Sequence, residues 1–251
     1  MKTLPVMRGF SVLRRNAGIL LVIALGVALS GLVFVVIRSW ELRGLQNDVR
    51  KIAQERVELL NSHIMRSTEV LHEIASFYSA SGAVSRVQFE IFTRSAILRQ
   101  PELQALEWVP RVPAALRQEY EAAVRAEHPL FQFTETKDDT TIVSESSRDE
   151  YFPVYFVEPL AGNEAAFGLD LRSDATRKSA LEKARDTGTQ VATPAIRLAQ
   201  EVGTQLGFLV FHPLYRAAQN GGIAERRESL AGFAVAVFRI GNLVEPSLKA
   251  H

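Results

Sequence analysis

Three strings between residues 105 and 215 decide the fold: ALEWVPRV (105–112), EYFPVYFVEPLAGNEAAFGLDL (150–171) and ARDTGTQVATPAIRLAQEVGTQLGFLVFHPLY (184–215). Leu106 to Val112 reads as a strand, as do Pro153 to Val157, Ala165 to Leu169 and Leu206 to Leu214. Around them, Phe131 to Thr134 is a further strand. Pro113 to Ala126 is a helix with Leu116, Tyr120 and Val124 inward, and Asp174 to Arg185 is another with Ala180, Leu181 and Ala184 on one face. Thr136 to Ser147 is polar apart from Ile142 and Val143, as a solvent-facing hairpin or loop is. Strands and helices alternate irregularly with short connections. The expected class is therefore α+β with an antiparallel sheet, not a doubly wound parallel one.

Upstream, Ala17 to Ile37 carries no charge. At roughly 1.5 Å per residue a helix of that length crosses the roughly 30 Å hydrocarbon layer of a bilayer. Lys2, Arg8, Arg14 and Arg15 precede it without an acidic residue, which puts the N-terminus in the cytoplasm and the residues beyond Ile37 outside, or in the periplasm of a Gram-negative cell. A cleaved signal peptide is disfavoured. Ala28 and Ser30 offer a small-x-small site, but the apolar run continues past it to Ile37. From Arg38 to about Ala80 there is no Pro, and Gly44 is the lone Gly. Leu42, Leu45, Val49, Ile52 and Leu59 keep a heptad-like spacing, and Leu60, Ile64, Leu71, Ile74 and Phe77 continue the stripe in a shifted phase. That is one long amphipathic helix, whose stripe packs either against the domain that follows or against a second copy of itself, with parallel homodimerisation the favoured use. Ser79 to Gly82 ends it. Ser85 starts the next, with Phe89, Phe92, Ala96 and Ile97 on one face.

Composition narrows the function classes. The chain has 251 residues, 47% of them hydrophobic, and its 29 Lys plus Arg balance 28 Asp plus Glu. No strong field and no basic run interleaved with aromatics exists to recruit nucleic acid. The absence of Cys removes disulfides, thiolate chemistry and iron-sulfur clusters. His63, His72, His128, His212 and His251 are scattered, so no metal or other cofactor is expected. Asp186-Thr187-Gly188 spells the aspartic-protease triplet, but Glu182, Lys183 and Arg185 precede it on a helical period and Gly188 sits where a helix C-cap belongs. No catalytic constellation stands out, and no enzyme activity is expected of this segment.

The order EYFPV, EPLAGN, GLDL, DTG, ATPAIRL and GFLVFHPLY is similar to that of the CHASE domain, the extracellular sensory module of bacterial and plant receptor histidine kinases and cyclase-type receptors. The resemblance implies a stalk helix and two PAS-like subdomains stacked away from the membrane, with a small-molecule pocket in the distal one. In the family a second membrane helix leads on to a histidine kinase or a diguanylate or adenylate cyclase output domain. The expected organisation is a cytoplasmic N-terminus (1–16), a transmembrane helix (17–37), a stalk (38–82), a distal ligand-binding subdomain (83–228) and the start of a membrane-proximal subdomain (229–251). That last piece is incomplete, so the chain is read as a fragment of a longer receptor in preference to a truncated product.

Candidate pocket residues combine chemistry with the resemblance. Tyr151, Phe152, Tyr155 and Phe156 alternate along one strand, so one pair can line a cavity while the other packs inward; each tyrosine brings a polar tip on an apolar body. Glu158 is the carboxylate nearest these rings. In plant relatives a carboxylate in this segment meets the polar edge of a purine-like cytokinin, although Glu158-Pro159 departs from the plant pattern. Thr193 and Arg197 fall where the family folds a strand over its pocket. Leu169 and Phe208 complete the expected ligand-binding set, with ordinary core as their competing role. Asp170 is read as structural, holding a corner through backbone hydrogen bonds, and Gly162-Asn163 as a turn. The competing function is a structural or protein-interaction domain anchored at the membrane, in which the pocket-like region is packed core.

Overall fold

A computed structural model of the chain describes residues 10–82, 84–137, 141–144, 147–200, 205–216 and 222–249. Contacts divide the chain into two units, Met1–Glu58 and Leu59–His251. Helix α1, Phe10–Ser81, contributes to both. In the first unit its segment Leu21–Arg38 has a mean hydropathy of 2.5 and none of it is buried, so it is long and apolar enough to cross a membrane. Lys2 and Arg8 lie outside the described residues, as do the side chains of Arg14, Arg15, Leu42, Leu45, Val49, Ile52, Leu59 and Leu60.

The second unit is built on one antiparallel sheet. Its strands are β1 (Leu103–Pro110), β2 (Phe156–Glu158), β3 (Val191–Ala192), β4 (Leu206–Tyr215) and β5 (Leu230–Arg239), in the order β2-β1-β5-β4-β3, and Ile196–Arg197 also pairs with β4. Both faces are covered, which explains why these strands read as nearly unbroken apolar runs. Side chains alternate between two cores. Phe233, Val235 and Val237 of β5 join Leu209 and Phe211 of β4 in a layer closed by Leu181 and Ala184 of helix α4, Ala175–Thr187. Ala234, Ala236 and Phe238 face the other way, with Leu106 and Trp108 of β1, against Val70, Leu71 and Ile74 of α1 and Phe89 and Ala96 of helix α2, Arg86–Arg99. Each large apolar side chain buried this way stabilises the fold by about 1.5–3 kcal/mol, so the end of α1 is an integral layer of the domain.

Local sequence explains the boundaries. Gly82 takes a φ of 69°, and its N–H bonds to the Tyr78 carbonyl, which stops α1 with a left-handed residue. Ser85 and Gln88 form a reciprocal capping box that starts α2. Asp174 caps α4 through the Arg177 N–H, and Gly188, at φ 73°, ends it. The protease-like triplet is thereby a helix terminus. The Asp186 carboxylate accepts from Arg185 and from both Nε and Nη2 of Arg227, and these guanidinium groups hold it well below the usual carboxylate range.

Five expectations need correction. The strand expected over 153–157, with Tyr151, Phe152, Tyr155 and Phe156 alternating along it, is broken: Glu150–Tyr151 pairs with Val112–Pro113, whereas Phe156–Glu158 pairs with β1, and Pro153, without an N–H, sits between them. Residues 165–169 are not a strand; Glu164–Ala166 is a 3₁₀ turn, followed by Gly168 at φ 88° and a single bridge from Leu169 to Thr134. The strand expected over 131–134 begins at Thr134, forming with Thr141–Ser144 the hairpin expected in the polar segment, and Leu116 is exposed. Finally, a boundary at 228/229 would cut the sheet, because β5 lies between β1 and β4 and completes it. Helix α3, Arg117–Arg125, buries Val124 as expected and half-buries Tyr120.

Candidate ligand-binding site

A cavity of about 800 Å³ opens where the last turns of α1 meet the sheet, within the range of small-molecule sites. Ala75, Tyr78, Ser79 and Gly82 form one wall, Trp108 of β1 and Phe156 of β2 the floor, and Tyr120 of α3 with Tyr155 another side. The end of β4, Pro213 to Tyr215, with Arg216 and Ala231, closes it.

The wall is rich in rings that hold each other in place. Tyr78 stacks on Trp108 at 4.1 Å between centroids, and Tyr155 meets Tyr120 at 5.3 Å and Phe156 at 5.1 Å. Tyr155 donates its hydroxyl to the Tyr120 carbonyl at 3.2 Å, and burial raises its pKa. Behind Phe156, the Arg86 guanidinium lies over the rings of Phe156 and Phe167, at 5.2 and 4.7 Å, and donates to the Tyr155 carbonyl at 3.1 Å. That cation fixes the Tyr155-Phe156 corner. Tyr78 differs from its neighbours. Its hydroxyl is buried with no hydrogen-bond partner, and burial pushes its pKa far above the ordinary tyrosine range, so it stays a neutral donor. None of the described lining residues carries a carboxylate.

Of the seven residues expected to bind ligand, the structure brings Tyr155 to this cavity. Tyr151 is buried in a separate cluster with Phe133 and Val124; its hydroxyl accepts from the Arg148 N–H at 3.0 Å. Glu158 sits at the end of β2, half-buried, its pKa raised by burial and by Glu90. Thr193 is buried and closes the sheet edge: its N–H bonds the Leu209 carbonyl, and its Oγ1 accepts from the Leu209 N–H at 3.1 Å. The Arg197 carbonyl accepts from buried Arg177, Leu169 is core, and Phe208 stacks on Phe238 at 4.9 Å. Asp170 is structural as expected, its Oδ1 accepting from the N–H groups of Phe152 and Arg172. Sequence reasoning missed Tyr78, Trp108, Tyr120 and Arg216. They are distant in the chain, and no local spacing links them.

The sheet's other face holds a buried acid. Glu107, 2% exposed at the centre of β1, leaves Oε2 without a hydrogen-bond partner. Burial pushes its pKa up to about 8 against the opposing pull of Arg177, so the carboxyl is largely neutral at pH 7.

The profile of the CHASE domain matches residues 82–251. Hybrid signal transduction histidine kinase A of Dictyostelium discoideum is 26% identical over 233 residues; the aligned part is 89% of this chain and 11% of that protein, so the chain spans about a tenth of the relative's length. A solved extracellular ligand binding receptor from Desulfohalobium retbaense superposes with a TM-score of 0.44 and 13% identity, over 77% of this chain and 25% of that one. The matched segment takes in the whole sheet and the turn that ends α1, and on that match the chain belongs to the CHASE domain family, a family of sensory modules of signal-transduction receptors.

Proposed function

We propose that this chain is the extracytoplasmic input module of a membrane-anchored receptor. A small molecule enters the cavity beside α1, and occupancy is passed along that helix to an output domain elsewhere in the parent protein. The carrying observation is that α1 supplies one wall of the cavity, through Ala75, Tyr78 and Ser79, and also contains the apolar segment Leu21–Arg38. A ligand that touches a helix can bias its position, provided it binds two helix arrangements with different free energies.

Family membership and the kinase relative support this reading, with a histidine kinase or a diguanylate or adenylate cyclase as output and the segment itself non-enzymatic. The bilayer holds the N-terminal helix, in the inner membrane if the cell is Gram-negative, and pairing of two copies along the stalk carries the signal between subunits. Of the residues expected from sequence, Tyr155 is retained in the proposed site. Cytokinin-like adenines are among the ligands to be tested.

The test is thermal unfolding of the full chain in lipid nanodiscs against a metabolite library that includes N6-substituted adenines. A ligand at about 100 times its dissociation constant adds roughly 2.7 kcal/mol. The reading expects a saturable shift that Tyr155→Leu abolishes while the ligand-free melting temperature stays within a few degrees. A well-folded chain that no compound stabilises contradicts it.

A further inference from the structure

The cavity's free polar side chains, Arg216 and Tyr120, both offer hydrogen-bond donors. The guanidinium of Arg216 lines it and makes no ion pair or hydrogen bond among the described residues. The Tyr120 hydroxyl is likewise unpartnered among them; its backbone carbonyl receives Tyr155, but the phenol makes no bond of its own. The Tyr78 hydroxyl also lacks a partner, but it is sealed within the wall and out of reach of a ligand. Ser79, by contrast, is used by the Ala75 carbonyl and Tyr215 by the Arg185 carbonyl. With Arg216 as the lone formal charge in the described lining and no carboxylate to neutralise it, the electrostatics suit an anion. The walls suit a flat ring: Trp108, Tyr155 and Phe156 present aromatic surface, and offset or edge contacts with a further ring add about 0.5–1.5 kcal/mol each beyond area burial.

We infer that the cavity takes a planar aromatic carboxylate, its ring among Trp108, Tyr155 and Phe156 and its anionic group on Arg216, with Tyr120 as the available hydroxyl donor. This inference rests on the sensor reading above and narrows it to a chemical class. A cationic ligand, which an aromatic cage alone can hold, is disfavoured by Arg216.

The experiment uses the full chain in nanodiscs with Trp40→Phe, which leaves Trp108 as the sole tryptophan. Its fluorescence and melting temperature are followed against benzoate, phenylacetate and 1-naphthoate, the corresponding amides, and phenyltrimethylammonium. At least one carboxylate is expected to give a saturable change, with its amide tenfold or more weaker. Arg216→Gln should weaken the carboxylate at least tenfold and leave the amide unchanged, and Tyr120→Phe should weaken it severalfold. Equal binding of acid and amide, indifference to Arg216→Gln, preference for the ammonium compound, or no saturable response to any carboxylate overturns the assignment. The sensor reading survives any of these if another metabolite gives a melting shift that Tyr155→Leu removes.

Discussion

His212 of β4 meets His72 of α1 edge to face, with ring centroids 4.4 Å apart. His212 is buried and its Nδ1 has no hydrogen-bond partner. Burial first, and the His72 charge second, lower its pKa from 6.5 to about 4. The unfolded chain takes up a proton as pH falls through 6.5, and the folded chain resists until about 4. Stability supplied by this site is therefore complete above pH 6.5 and lost as pH falls through that window. The stability difference between wild type and His212→Gln isolates this site from the opposing Glu107: between pH 7.5 and pH 4.5 it should shift in the variant's favour by about 1–2 kcal/mol, after allowance for partial solvent access.

Glu107 has the opposite sign. Its folded pKa of about 8 exceeds the ordinary 4.5, so the stability it permits is full below pH 4.5 and is lost as pH rises through 8. Glu107→Gln, neutral at every pH, should melt higher than wild type at pH 8.5, by about 1–3 kcal/mol, with the difference vanishing near pH 4. A pH-independent difference would mean that the carboxyl is ionised in the fold.

Thr193 and Tyr155 separate packing from recognition. Thr193→Val removes the acceptor for the buried Leu209 N–H and should cost about 1–3 kcal/mol while leaving the dissociation constant of any cavity ligand unchanged. Tyr155→Leu should do the reverse, with a large loss of affinity at small cost in stability. Titration of both variants with one stabilising compound checks the pair.

Gly168 tests the corner that delivers Tyr155. At φ 88°, an added Cβ would lie 2.4 Å from the Gln132 carbonyl oxygen, so Gly168→Ala should destabilise by about 2 kcal/mol or more through strain and forced backbone movement. A melting temperature within a degree of wild type would contradict this geometry.

Much of the fold is legible in the sequence because its signals are local. The α4 caps at Asp174 and Gly188, the stop at Gly82, the capping box at Ser85 and the apolar runs of β1 and β4 each announce themselves within a few residues. The features that sequence misreads depend on partners far along the chain. Tyr151 and Phe156 look like one strand until their pairing with Val112 and Trp108 splits them. Residues 230–239 look like a new subdomain because their pairing with residues 103–110 spans more than a hundred positions. The site is harder still: Tyr155 stands out by its chemistry, but Tyr78, Trp108, Tyr120 and Arg216 come together only through the fold.

The most direct test of coupling between cavity and helix is amide hydrogen exchange of the full chain in nanodiscs, with and without the compound that gives the largest melting shift. Saturating ligand should slow exchange across residues 70–82 of α1 as well as around Trp108 and Tyr155, and Tyr155→Leu should cancel both effects. Protection confined to the sheet, with exchange in 70–82 unchanged at full occupancy, would contradict a sensor whose signal leaves through that helix.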